Sequence, residues 1–366
     1  MNFSNKNFII FRTDRLGDFI LHSRPILELK KKFPQSNITV VCSDLNKKII
    51  SKFSFIDHII VFNKSDLFIN KFKTFIKIIF QNYYASFILD GKSFSYLCNV
   101  FLKSKNKIGL VYRSKKNLFF FKSMITKPNS IYNYFFFDKY EFFTSRDSLD
   151  HIEDFPQKYL NLFSEFISSD ISIKSNYAFE TQKSSNLLYS KIHDVLKNDN
   201  FIILHFDEKW LDIISINEEL INEIINFQIT NNVKIIITAY NNNFEYFNIL
   251  KKKFSYFNCA NLKDAFGLIA YQNSQILILD NLEIFLFERF LKNSKANISC
   301  HSGFIAQVCG SNNGKIIDII NEADEVWYSC WKPKNTFHKF IYKSFSNKRT
   351  SLNEIFSSVT NTLKKL

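Results

Sequence analysis

Three short stretches carry residue types from which a reaction could be assembled. The first is Phe11-Arg12-Thr13-Asp14-Arg15-Leu16-Gly17-Asp18, where an apolar run passes into a helical pattern. Gly17 lets a ligand approach the backbone closely, with Thr13 and Arg15 as turn or ligand contacts. Asp18 falls in the first helical turn, where a carboxylate either caps the helix and complements its dipole or serves a substrate as general base. The second stretch is His205-Phe206-Asp207-Glu208-Lys209-Trp210. Lys209 suits a point charge against a phosphate. Asp207 and Glu208 read as an ion-paired solvated loop, and His205 as a structural histidine. The third is His301-Ser302-Gly303, after Ile298-Ser299-Cys300 and before Phe304. A strand end, a small-residue turn and a helix start at that place form an anion site, or Ser302 simply caps the helix.

The elements that must position these residues alternate. In the first half, strands are expected at Phe8 to Phe11, Ile38 to Cys42, Ile56 to Phe62, Ser86 to Asp90 and Lys107 to Val111. Helices fall at Leu16 to Phe33, Leu67 to Phe80 and Asp150 to Ile167. After a Ser-, Lys- and Asn-rich stretch the alternation restarts with strands at Phe201 to His205, Val233 to Thr238, Gln275 to Leu279, Asn297 to Cys300 and Lys315 to Ile319. Helices lie between them at Asn217 to Thr230, Asn243 to Phe254, from about Asp264, Leu282 to Leu291 and Phe304 to Cys309, and a last one runs from Ser351 to Leu366. Strand, helix, strand at this spacing means parallel sheets. The expected fold class is α/β, with one doubly wound domain over residues 1–180 and a second over 198–345. The terminal helix within 346–366 is expected to pack back on the first. Two such domains put a cleft between them, and open sheets bind ligands beyond the carboxyl ends of their strands.

Composition excludes several functions. The 366 residues include only seven glycines, and no pair of them makes a dinucleotide fingerprint or a P-loop. Six scattered cysteines form no Cys-x-x-Cys, so a reducing cytoplasm is the expected compartment. No run reaches 18 apolar residues, and no signal peptide is evident. Asp-x-Asp and G-x-S-x-G are absent, so neither a metal–diphosphate clamp nor a hydrolase elbow is expected. The formal charge of +14 would suit an anionic partner. Phe, Ile, Lys and Asn dominate the chain, however, as an AT-rich genome imposes, and no nucleic-acid motif accompanies the charge. Two basic, aromatic segments, Arg113 to Lys127 and Lys332 to Arg349, have the composition of a surface touching anionic lipid or of a solvated face over buried Phe.

At these residues the chain resembles glycosyltransferase family 9, the lipopolysaccharide heptosyltransferases and their relatives. The likeness is strongest over Ile10 to Val41, with its R-x-x-x-x-G-D turn from Arg12 to Asp18, Pro25 within the helix, and Phe33-Pro34 before the second strand. It is weaker over Phe201 to Thr238 and Leu282 to Ile319. The resemblance implies a GT-B fold of two Rossmann-like domains facing a central cleft, acceptor on the first and nucleotide-sugar donor on the second. It also implies inverting transfer of a heptose-like sugar without metal or other cofactor. Asp18 matches the family's proposed base. Lys209, followed directly by Trp210, resembles the Lys of a K-x-W segment that meets the donor phosphates. His301-Ser302-Gly303 stands where the family has D-[TS]-G, with His301 in place of the Asp, and Ala306 stands where a His is usual. An ADP-sugar is the first expectation for the donor and a glycolipid or other cell-surface glycan for the acceptor. The expected place is the cytoplasm, at the inner face of the cytoplasmic membrane. The other class of function compatible with the His301 substitution is a non-catalytic nucleotide-sugar or glycan-binding module.

Overall fold

A computed structural model describes residues 6–14, 16–113, 136–168, 200–214, 216–239, 244–259, 274–311, 314–333, 336–346 and 348–366. The chain divides into two compact units, Met1–Glu180 with Ser329–Trp331, and Thr181–Tyr328 with Lys332–Leu366.

The first unit is built on six parallel strands in the order β3-β2-β1-β4-β5-β6. These are β1 (Asn7–Phe11), β2 (Asn37–Cys42), β3 (His58–Val61), β4 (Asn82–Ile88), β5 (Lys103–Arg113) and β6 (Lys139–Thr144). Phe8 to Phe11 are fully buried, because a central parallel strand is covered on both faces and must be apolar throughout. The helices are α1 (Leu16–Lys32), α2 (Asp44–Ile50), α3 (Phe68–Ile79), α4 (Ser93–Phe101) and α5 (Phe155–Ile167). The long helix expected from Asp150 begins only at Phe155. Asp154 caps it by accepting from the Gln157 N–H at 3.1 Å. Pro156, which lacks an N–H, fits only that first turn. Helices α2 and α4 and strand β6 are elements that hydrophobic periodicity did not single out.

The second unit carries eight strands in the order β14-β13-β12-β11-β7-β8-β10-β9. They are β7 (Phe201–Phe206), β8 (Lys234–Ala239), β9 (Ser255–Asn258), β10 (Ile276–Asp280), β11 (Ala296–Ser299), β12 (Ile316–Asn321), β13 (His338–Phe345) and β14 (Lys348–Arg349). Among the described residues only β14 runs antiparallel. The helices are α6 (Asn217–Asn231), α7 (Glu245–Lys253), α8 (Ile284–Asn293), α9 (Gly303–Ser311), α10 (Glu325–Ser329) and α11 (Leu352–Leu363).

Two expectations are corrected here. The terminal helix α11 belongs to the second unit. Its apolar residues Leu352, Ile355, Phe356, Val359 and Leu363 belong to the core of the second, where Phe356 meets Phe227 of α6 at 5.2 Å. The segment Lys332 to Arg349 is chiefly strand β13, with His338, Phe340, Ile341 and Lys343 buried, so it is sheet rather than a lipid-facing surface. Its basic composition misleads because Lys343 points inward to polar partners. The helix expected near Asp264 and residues 114–127 of the other basic segment lie outside the described residues. Among the described residues no helix is long and apolar enough to cross a membrane, and all six cysteines are free thiols in buried positions.

Candidate functional site

Both sheets reverse direction beside their first strand, between β1 and β4 in one and between β7 and β11 in the other. Such a switch point leaves a crevice at the carboxyl ends of its strands. The stretches singled out from the sequence end at those two places.

At the first switch point Arg12 leaves β1 with 1% of its surface exposed. A buried guanidinium needs acceptors all round. It donates to the Leu89 carbonyl and to the Tyr159 hydroxyl, and lies 3.4 Å from both Asp14 Oδ2 and Asp18 Oδ1. Asp18, in the first turn of α1, therefore keeps a fixed place while its side chain stays one-third exposed. Thr13 bonds through both N–H (3.0 Å) and Oγ1 (2.5 Å) to Asp90 Oδ2, at the end of β4. Burial, and then the nearby Asp14 carboxylate, push the Asp90 carboxyl upward from its ordinary value. Lys92 reaches Asp14 Oδ1 at 2.9 Å. Burial works to lower its ammonium, but the Asp14 carboxylate outweighs that and raises it. Behind the turn, buried His22 holds the Asp18 carbonyl through Nδ1 at 2.5 Å and packs edge-on to Tyr159. Burial, helped by the Arg12 charge, keeps this imidazole neutral well below the usual histidine range. Gly17 is buried inside α1, and Arg15 lies outside the described residues.

At the second switch point Lys209 joins the two strands. Its Nζ donates to the Cys300 carbonyl at 3.0 Å and to the His301 carbonyl, and it pairs with Asp207 Oδ2 at 3.2 Å. Asp207 is buried rather than solvated. It caps the following turn by accepting from the Lys209 N–H, and burial raises its carboxyl against the pull of Lys209. Trp210 is sealed beneath, donating from Nε1 to the His205 carbonyl at 3.0 Å. Lys343 of β13 braces the same turn, donating to the Lys209 carbonyl at 3.1 Å and pairing with Asp212 at 2.6 Å. His205 is structural, as expected: its Nδ1 meets Thr238 Oγ1 at 2.9 Å, and burial with the Lys209 charge lowers the imidazole to about 3.

His301 takes a left-handed φ of 53°, which costs a residue with a Cβ about 1–2 kcal/mol. The surroundings over-determine it. Lys209 holds its carbonyl, Tyr328 lies tilted against its ring at 3.9 Å between centroids, and its Nδ1 lies 2.8 Å from Asp318 Oδ2. Asp318 of β12 is wholly buried. It also meets His338 Nε2 at 2.7 Å through Oδ2 and accepts from Ser299 Oγ at 3.1 Å through Oδ1. Burial alone would raise this carboxyl, but the two imidazoles outweigh it and hold it below the usual carboxylate range. A carboxylate only accepts, so the hydrogens sit on Nδ1 of His301 and Nε2 of His338. Among the described residues the His338 Nδ1 is buried with no hydrogen-bond partner. Ser302 then caps α9, accepting from the Ile305 N–H at 3.4 Å, and Gly303 opens the helix.

Sequence reasoning singled out His301 but missed Asp318 and His338. The available signal was a lone carboxylate in the apolar run Ile316-Ile317-Asp318-Ile319-Ile320. A buried strand tolerates such a charge only when partners neutralise it. No group of three His, Cys, Asp or Glu side chains able to hold a metal ion occurs among the described residues.

No family model matches this chain, and no curated protein matches it. Solved structures do. The glycosyl transferase family 9 protein of Veillonella parvula superposes with a TM-score of 0.63 at 12% identity, over 98% of this chain and 96% of that one. The E. coli heptosyltransferase WaaC, solved with ADP, gives 0.57 at 13% identity over 98% and 99%. E. coli ADP-heptose lps heptosyltransferase II gives 0.58 at 11% identity over 98% and 99%. The chain has the GT-B fold that these proteins share, as the resemblance at Arg12 to Asp18 implied.

Proposed function

We propose that this protein is an inverting glycosyltransferase that moves a heptose-like sugar from a nucleoside-diphosphate donor to a glycolipid or other cell-surface glycan. The observation that carries the reading is Lys209, an ammonium tied to the β11–α9 loop at the switch point of the second sheet. Through the His301 carbonyl it is joined to the loop that opens into the Ser302-Gly303 helix start, whose N–H groups make an anion site of the kind a diphosphate occupies. A diphosphate there would draw the ammonium from Asp207 to itself. The bound ADP of WaaC and its complex with ADP-2-deoxy-2-fluoro heptose make an ADP-sugar the first choice.

In this mechanism Asp18, oriented by Arg12, removes the proton of an acceptor hydroxyl as the oxygen attacks the anomeric carbon. The bond to the diphosphate breaks on the opposite face, so configuration inverts. Lys209 and the start of α9 stabilise the charge that develops on the leaving diphosphate, usually the largest contribution to catalysis of this type. The lack of Asp-x-Asp in the sequence supports a reaction in which these cations do the work of a metal. His301 occupies the position where the resembled family has a carboxylate. With its hydrogen committed to Asp318, its ring offers Nε2 to a donor hydroxyl.

The test is thermal unfolding with ADP, UDP, GDP and their sugar conjugates in the presence of EDTA, followed by a transfer assay with whichever donor binds. A ligand at 100 times its dissociation constant adds about 2.7 kcal/mol of stability, so a single nucleotide class should raise the midpoint. Asp18→Asn should then abolish turnover while leaving that shift intact. A chain that binds a nucleotide sugar and never turns it over is instead a binding module, the reading that the His301 substitution would favour.

A further inference from the structure

Helix α3 (Phe68–Ile79) of the first unit is unusual in what it leaves to solvent. Leu67 is 71% exposed, Phe68 81%, Ile69 54% and Phe72 49%, and Phe68 stacks on Phe72 at 6.3 Å between centroids. At 100° per residue, Phe68, Phe72, Ile76 and Ile69 fall within an arc of about 100°. Lys73 and Lys77, both exposed, border that arc on one side; Ile79 falls within it and, with Phe75 and Ile78 on the other flank, turns to the core of the unit. Only Ile78 of this helix is buried. The helix contains no acidic residue, and Lys64 and Asp66 precede it. The apolar strip continues at Phe80, 70% exposed, and at Phe101 of the neighbouring α4, 56% exposed. Phe75 meets Phe101 at 5.9 Å.

Single exposed apolar residues are ordinary, but a contiguous strip of them marks a contact surface. We infer that α3 docks the protein in the plane of an anionic membrane surface. The strip enters the boundary between headgroups and acyl chains, and the exposed Lys73 and Lys77 meet lipid phosphates. Charge decides between the occupants such a strip could take. A second copy of this chain would form a two-fold interface between two lysine-bordered strips, and α3 offers no carboxylate to pair those lysines across it. Lysines bordering an aromatic strip can lay their methylenes along it and raise their ammonium groups to phosphate level. The inference is independent of the transferase reading, because vesicle binding needs neither donor nor acceptor.

The experiment is co-sedimentation of the full chain with vesicles of phosphatidylcholine alone and of phosphatidylcholine with one-quarter phosphatidylglycerol. Binding is expected only to the anionic vesicles and should fall as salt is raised. Lys73→Gln with Lys77→Gln should lower the partition coefficient about 25-fold, from about 5-fold (about 1 kcal/mol) per lysine near an anionic surface. Phe68→Ser with Phe72→Ser should lower it at least tenfold while the unfolding midpoint stays where it was. Tryptophan placed by Ile69→Trp should shift its fluorescence to the blue on anionic vesicles and be quenched by brominated acyl chains. Equal binding of both vesicle types, variants that sediment like the parent chain, or a patch variant that changes only the oligomeric state would each overturn the inference.

Discussion

Asp318 is the position at which one atom's chemistry should be most widely felt. The wholly buried carboxylate takes two imidazole hydrogens on Oδ2, at 2.8 and 2.7 Å, and a hydroxyl on Oδ1 at 3.1 Å. In Asp318→Asn the amide oxygen can stand at Oδ2 and the NH2 can turn to Ser299, so every bond survives without its charge. Hydrogen bonds to charged groups are worth about 1.5–3 kcal/mol against about 0.5–1.5 for neutral ones. Two weakened bonds therefore cost about 2 kcal/mol. In Asp318→Ala both imidazoles and the hydroxyl lose their acceptor inside the fold, and about 3–5 kcal/mol is expected. The native carboxyl titrates below its unfolded value, which is near 3.9. Its charge contribution is therefore complete above about pH 5 and declines as pH falls below the unfolded value towards the native one. The cost of Asp318→Asn should shrink in acid, while Asp318→Ala keeps the part that comes from donors left without an acceptor. Urea unfolding at pH 7 and at pH 3 measures this, with unchanged m-values as the control. Nitrogen shifts of the imidazoles supply a readout that stability alone would not: the parent should show hydrogen on Nδ1 of His301 and Nε2 of His338, and Asp318→Ala a mixture. The reasoning fails if Asp318→Ala costs less than about 1 kcal/mol, or if both variants cost the same.

Other expectations follow from the same contacts. Lys209→Met removes the ammonium and frees the Cys300 and His301 carbonyls, so titration calorimetry should show nucleoside-diphosphate affinity falling at least tenfold. Asp18→Asn should lose about 10²–10⁴-fold in turnover, the worth of a general base, with a Tm lowered only as far as Arg12 misses one of its two carboxylates. A Cβ at Gly109 would lie 2.5 Å from the Phe137 ring and 2.8 Å from the Ile88 carbonyl oxygen, so Gly109→Ala should cost about 1–3 kcal/mol by overpacking, seen as a lower urea midpoint. Ser351 and Glu354 cap α11 reciprocally, and Ser351→Ala should cost about 1 kcal/mol in the unfolding of the second unit.

Much of this protein was already present in the order of its residues. Short apolar runs such as Phe8 to Phe11 and Ile316 to Ile320 can only be buried parallel strands, because nothing else in a chain of this length covers both faces of so short a segment. Their alternation with helical spacing determined two doubly wound sheets. It also placed Asp18, Lys209 and Ser302 at strand ends, where backbone amides and helix starts create sites regardless of detail. What tertiary structure alone decided is which distant side chains meet there. Arg12 gains Leu89 and Tyr159, 77 and 147 residues away, and Asp318 gains His301 and His338 from the strand ends beside it. Strand β13 looked like a basic surface because composition cannot tell a lysine in water from one buried against Asp212. Helix α11 joined the second unit because its apolar face found Phe227, a match no local pattern encodes. Local sequence sets the period and ends of each element through backbone sterics and hydrogen bonding. The partners of a buried charge are set by the strand order of the whole sheet, since desolvation makes any unpaired arrangement too costly to persist.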